Sequence, residues 1–317
     1  MRVSTENIFQ KRKNVYNGLM NPLVGVLLFY CFYPSLTLSQ SLPAHNPIDI
    51  LIVSDEVNPH GLSDEQLMQP GDLTNALGSA LTLNTHILIE VDTDQIELAT
   101  QALNLGTNHP DRPEVLIYFS HRIPANDNGR QAEFLTAVDN FLQTGGGVIS
   151  FHHGIYLTNG KQPIQDLLGS QATGAVPWDT VNGQDVIFVG ENHFIGTHQI
   201  NYAGTISYSN PGHGIGINNY PYFNNTPDER YPQMGFNTGN NGCDIDPLFE
   251  SNYADNGNQH LLGYTKQCPN WTSKVFVYQP GEYQPNATSG NNFQILLNAI
   301  YYLSDSRWDV IFSGSFD

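Results

Sequence analysis

The sequence predicts an α/β domain built around a parallel β-sheet. Three features carry that prediction: strand-length runs that are apolar throughout, amphipathic helical stretches alternating with them, and a glycine triplet joining one helix directly to the next strand. Strands buried on both faces read as continuous apolar runs, and parallel neighbours need a crossover connection, usually a helix.

Ile48–Ser54 (IDILIVS) opens the series. A polar loop with His60 follows, then an amphipathic stretch over 63–81. THILIEV at 85–91 reads as the second strand, 94–103 as a helix, and EVLIYFS at 114–120 as the third strand. Over 128–143, Phe134, Leu135, Val138, Phe141 and Leu142 fall on one helical face. Gly145, Gly146 and Gly147 stop that helix, and 148–151 is the fourth strand. The alternation then breaks. Residues 155–273 are rich in Asn, Gly, Pro, Tyr and His, with short strand-like pieces such as 185–189. It resumes with KVFVYQ at 274–279 and a closing helix over 291–304. The middle section lacks a long apolar helix, so it reads as a loop-rich insertion packed over one end of the sheet. Residues 40–317 are expected to form one domain.

Residues 1–39 read as a signal peptide. Arg2, Lys11, Arg12 and Lys13 precede an apolar run from Leu19 to Tyr33, broken only by Asn21, Pro22 and Gly25. Pro34 ends the run, and Thr37, Leu38 and Ser39 form a small-residue exit. The expected location is secreted or periplasmic. Cys31 would leave with the leader, so Cys243 and Cys268 remain as an even pair in an oxidising compartment, and a disulfide is expected. It would pin an irregular loop.

The chain carries 12 Lys and Arg against 30 Asp and Glu, a net charge of −18. Beyond Ser39 there are eight basic and 29 acidic side chains, a net of −21. Such a surface repels phosphate backbones and anionic lipid, which excludes nucleic acid and the membrane surface as partners after leader removal. The expected partner is a small molecule or an oligosaccharide.

Ligands of open parallel sheets bind beyond the carboxyl ends of the strands. At those ends stand Asp55 with His60 in the next loop, His121 with Arg122, His152 with His153, and Gly281 with Glu282. Imidazoles or acids recur at one edge after four strands. The sharpest element is GGGVISFHHG, 145–154, which delivers His152 into the turn where α/β hydrolases hold a nucleophile. No Ser or Cys occupies the turn, so an imidazole acting as acid, base or ligand is expected there.

These elements, with VLIYFSHR, Gly212-His213-Gly214-Ile215 and Asp228-Glu229-Arg230-Tyr231, resemble the trehalose-utilisation (ThuA-like) family across most of 48–304. The resemblance implies a flavodoxin-like, class I glutamine amidotransferase-like parallel sheet with helices on both faces. It implies His152, Asp228 and Glu229 as catalytic residues. His198, His213 and Tyr231 would bind substrate by the same resemblance, and His60, His121, His153 and Glu282 are expected to do so from their place at the carboxyl edge of the sheet. It also implies a carbohydrate or sugar-derivative substrate, acted on by imidazole–carboxylate proton transfer. A non-catalytic sugar-binding or accessory protein on the same scaffold is the alternative. Two departures are visible: Gly follows His213 where the family has Pro, and Glu282 stands where it has His. No cofactor motif is present. The donors would also suit a divalent cation, with His193, His198 and His213 as ligands, although their spacing is no metal signature.

Mass spectrometry of the exported protein is expected to find a start near Gln40; an intact Met1 would refute the leader.

Overall fold

Apolar strands dictate the centre of the molecule. In the computed structural model, β1 (Ile48–Ser54), β2 (Thr85–Asp92), β3 (Val115–Phe119) and β4 (Gly147–Phe151) form parallel neighbours in the order β2-β1-β3-β4. The structure describes residues 47–55, 67–69, 71–81, 85–122, 129–175, 184–225, 228–237, 242–253 and 260–304. All belong to one compact unit, Ala44–Asp317. The expected leader and His60 lie outside the described residues.

Alternate strand residues point to opposite faces, and here both faces are covered. Leu51, Val53, Leu116, Tyr118 and Val148 share a cluster with Ile96, Leu103, Phe134, Val138 and Phe141. The latter five come from α2 (Ile96–Leu103) and α3 (Arg130–Gln143), which follows an earlier helix, α1 (Asp72–Ala80). Each such side chain contributes roughly 1.5–3 kcal/mol by leaving water. The other face carries the closing helix. A short α4 (Gln162–Leu168), α5 (Phe194–Thr197) and α6 (Gln284–Thr288) precede it, and α7 spans Gly290–Ser304.

The glycine triplet has a packing reason. Gly145 adopts φ 93°, which ends α3, and a Cβ on Gly147 would stand 2.4 Å from Leu303 Cβ of α7. Helix and strand therefore meet without a loop.

The expected strand at 274–279 is β10 (Val275–Tyr278), parallel to β4. Val275 and Val277 join the α2–α3 face, while the Tyr278 hydroxyl donates to Asn292 of α7 at 2.6 Å.

The insertion departs from expectation. Instead of only capping one sheet end, it supplies β5 (Gln184–Phe188), β6 (Gly204–Asn210), β7 (Ile215–Asn225), β8 (Asp244–Ser251) and β9 (Leu261–Gln267). These extend the same sheet beyond β10 in the order β9-β8-β5-β7-β6, every pairing antiparallel. The ten-stranded sheet is thus mixed, with a parallel and an antiparallel half. Antiparallel strands need only tight connections and tolerate a solvated face. That explains Asn- and Gly-rich turns, no long helix among the described residues of the insertion, and alternating exposure along β6. Among the described residues no helix is long and apolar enough to cross a membrane.

Cys243 and Cys268 are disulfide-bonded. They stand just before β8 and just after β9, so the bond clips the open end of a paired strand ladder, and not an irregular loop. Closing a loop with a sequence separation of 25 restrains the unfolded chain by about 3 kcal/mol. Reduction, or the Cys243→Ala/Cys268→Ala double variant, is expected to lower unfolding stability by about that amount in denaturant titration. An unchanged midpoint would show the bond to be dispensable.

Candidate functional site

Strand β4 runs straight into the site. Its next residue, His152, has φ 38°, a left-handed conformation uncommon for a non-glycine residue. The turn aims the imidazole back over the carboxyl ends of β4 and β10. Its Nδ1 donates to the Gln279 carbonyl, just past β10, at 2.6 Å, which leaves Nε2 facing the rest of the cluster. Gly281 closes the other wall, since a Cβ there would meet Phe151 at 2.5 Å and His152 Cβ at 3.1 Å.

Three groups converge on Nε2. The Tyr231 hydroxyl lies at 3.1 Å, Glu282 Oε2 at 3.2 Å and Glu229 Oε2 at 3.4 Å. Glu282 also meets His153 Nε2 at 2.5 Å. His121 extends the cluster, meeting the His153 ring edge-on at 5.6 Å and stacking on Tyr156 at 5.4 Å. All these rings and carboxylates come from loops at one sheet edge.

Burial by itself would discharge His152, but hydrogen bonds and charges from Glu229 and Glu282 outweigh it and raise its pKa to about 10. Burial would likewise raise Glu282, yet His153 and His152 hold its carboxyl far below the usual range. Glu229 is shifted down, its burial overcome by the His152 bond. Burial and the same two glutamates push the Tyr231 hydroxyl far up, so it stays protonated. His152 is therefore a charged proton donor at neutral pH, and Glu229 an ionised acceptor beside it.

The remaining expected residues divide. Asp228 is buried, and its Oδ1 accepts from the backbone N–H groups of Glu282 and Tyr283 at 3.0 and 2.8 Å. It shapes the turn that presents Glu282. His213 does not join the cluster expected to include it. It donates to Glu250 at 2.6 Å and packs on Phe236, because its turn lies between β6 and β7 in the antiparallel half. His198 packs on Phe194, and its carbonyl accepts from Asn298 at 2.7 Å. His193 caps α5, its Nδ1 accepting from Ile195 N at 3.2 Å. The trio considered as metal donors is thus dispersed. Among the described residues, the one group of three donors placed for a metal is His152, His153 and Glu282, their ligand atoms all within 4.8 Å of one another.

Two supporting residues, Gln279 and Lys161, escaped the sequence reading, and a third, Asp55, was named there without its role. The Gln279 amide brackets Tyr231, accepting from its N–H at 3.1 Å and donating to its carbonyl at 3.3 Å. Lys161, fully buried, donates to the carbonyls of Ser120 and His153 at 2.7 and 2.6 Å, tying the β3 and β4 exits together. Burial lowers its pKa to about 7. Asp55, noted only as an acid at a strand end, accepts from His121 N–H at 2.6 Å, the Ser120 hydroxyl at 2.9 Å and Arg122 Nε at 3.0 Å. A polar residue at the carboxyl end of a buried parallel strand was the available signal for Gln279 and Asp55.

No protein-family model and no curated protein matches the chain. Solved structures do. A crystal structure of a protein described as ThuA-like from Bacteroides uniformis covers 83% of this chain and 94% of its own at 14% identity, with a TM-score of 0.53. Another described as ThuA-like, from Parabacteroides merdae, covers 82% and 91% at 13% identity, TM-score 0.48. At such identity the first likeness shows the fold: this chain has a ThuA-like fold.

Burial would raise the Asp55 pKa, but the bonds from His121, Ser120 and Arg122 hold it below the ordinary carboxylate value. A depressed folded pKa stabilises above the unfolded value, near 3.9, and the gain is lost as pH falls through the folded one. Asp55→Asn is therefore expected to cost about 2 kcal/mol at pH 7. The gap to wild type should narrow as pH falls below the ordinary carboxylate value in chemical denaturation; a pH-independent gap would contradict the assignment.

Proposed function

We propose that this chain is an exported member of the ThuA-like family, and an enzyme acting on a carbohydrate or sugar derivative by proton transfer between His152 and Glu229. The carrying observation is the strained His152 turn, which aims one imidazole nitrogen at Glu229 while a backbone carbonyl holds the other. Glu229 keeps 11% of its side chain exposed, against 0% for His152 and 1% for Glu282. A substrate hydroxyl or glycosidic oxygen would therefore meet the cluster at Glu229. Glu229 would act as base and His152 as acid, a complementary pair suited to general acid–base chemistry. Tyr231 and Glu282 position the imidazole, and Asp228 positions Glu282.

The strand order β2-β1-β3-β4-β10 supports the flavodoxin-type, amidotransferase-like assignment, since it repeats the 2-1-3-4-5 order of that doubly wound sheet. The Cys243–Cys268 bond supports an oxidising compartment. A second reading, a sugar-binding protein without turnover, is favoured by the near-complete burial of His152, His153 and Glu282.

The test is a panel of mono- and disaccharides and their oxidised and acylated derivatives, with products followed by NMR. Glu229→Gln is expected to lower kcat at least about 100-fold with little change in melting temperature. His152→Ala should be inactive and also less stable, because it strips two carboxylates of their cation. Saturable binding without turnover would favour the second reading, and neither binding nor turnover would sink both.

A further inference from the structure

We propose that His152, His153 and Glu282 bind a divalent transition-metal ion of the zinc type, with Glu229 as the fourth donor. The proposal rests on the reading above only for taking this cluster as the working site. An ion would take the place of the proton on His152 Nε2, so with the ion bound His152 is a ligand and not the acid.

Geometry comes first. Donors at the usual zinc distances around a tetrahedral ion stand roughly 3.4 Å apart. His152 Nε2 lies 3.2 Å from Glu282 Oε2 and 3.4 Å from Glu229 Oε2. The His153–Glu282 pair, at 2.5 Å, needs to open by under about 1 Å, and the three principal donors already lie within 4.8 Å of one another. All three are buried, so the dehydrated, fixed surroundings that a bound ion needs already exist.

The supporting shell is also in place. A metal-bound imidazole almost always donates its other N–H to a carbonyl or carboxylate, which fixes the ring and its tautomer. His152 makes that bond to the Gln279 carbonyl at 2.6 Å. Asp228 fixes the backbone at Glu282 by accepting from the N–H groups of Glu282 and Tyr283, and the Tyr231 hydroxyl, now 3.1 Å from His152 Nε2, would give way to the ion. Two chain segments distant in sequence therefore present three preoriented donors to one point, and Glu229 from a third segment stands 3.4 Å from one of them, His152 Nε2.

Charge and donor type select the ion. Two imidazoles with two carboxylates suit zinc, manganese or ferrous iron, whereas calcium and magnesium take oxygen donors almost alone. Two carboxylate charges balance a divalent ion. The arrangement leaves Glu229, the most exposed donor, as the one a water or substrate oxygen would displace.

The experiment uses the mature, disulfide-bonded chain, stripped by dialysis against a chelator. Zinc titration by calorimetry is expected to give one ion per chain, and cobalt(II) should show the absorption bands of a four-coordinate ion. His153→Ala and Glu282→Gln are each expected to weaken zinc binding more than about 100-fold, while His193→Ala and His213→Ala leave it unchanged. Should the buried variants fail to fold, Glu229→Gln decides, because it should keep one zinc per chain and shift the cobalt bands. Absence of stoichiometric zinc in the wild type, equal affinity in a folded His153→Ala, or cobalt bands unmoved by Glu229→Gln would overturn the proposal. Turnover that survives chelation but is lost in Glu229→Gln would remove the ion and leave the proton-transfer reading standing. One zinc per chain without turnover on any carbohydrate would do the reverse.

Discussion

The hydrogen bond from His152 Nδ1 to the Gln279 carbonyl is the contact on which the site's organisation depends. A left-handed φ on a non-glycine residue costs on the order of 1–3 kcal/mol and persists only when its surroundings hold it. Here the holding group belongs to the segment leaving β10, the neighbour of β4. The Gln279 side chain in turn brackets the backbone of Tyr231, so the insertion is fastened to the same point. One imidazole thereby joins two parallel strands and the polypeptide that returns over them. Its second nitrogen has little freedom left, and that restriction gives the cluster its direction.

Electrostatics at the sheet edge repeat one pattern at two places. In a chain of net charge −18, buried carboxylates need local cations or N–H donors. Glu229 and Glu282 face His152, while Asp55 takes three backbone and side-chain donors from 120–122. Arg122 then reaches Asp92 and Asp94, at 2.9 and 3.0 Å, fixing the loop after β2. Lys161 completes the frame with two backbone carbonyls. The Asp55–Arg122 network is structural, because its acceptors are filled by donors of the fold itself. The His152 network differs, since Glu229 retains an exposed edge and its charges face one another.

The antiparallel half gives the molecule a second use for its polar residues. His213, Asn210 and Tyr208 gather around Glu250 of β8 and hold the β6–β7 hairpin to the sheet. A buried carboxylate with three donors is satisfied there without recourse to a ligand. The resemblance of 212–215 to a family motif placed His213 with the functional residues, and the strand pairing sends it elsewhere.

The parallel half was legible in the sequence because its strands are buried on both faces. Continuous apolar runs such as Ile50 to Val53 and VFVY at β10 admit almost no other reading. The glycine triplet and His152 at a strand end were legible for the same local reason: their chemistry lies within ten consecutive residues. The antiparallel strands were not. Half-solvated strands with polar alternation look like loop composition, and only pairing with β10 and with one another turns them into sheet. The site divides along the same line. His152 and His153 announced themselves by position and type, and Glu229 only through the resemblance of its segment to a family motif. The tertiary structure alone decided that Asp228 would cap a turn, that Gln279 would hold the imidazole, and that His213 would pair with Glu250. Those outcomes depend on contacts between residues 37 or more positions apart, up to 127 for His152 and Gln279, and no local pattern encodes which distant partner wins.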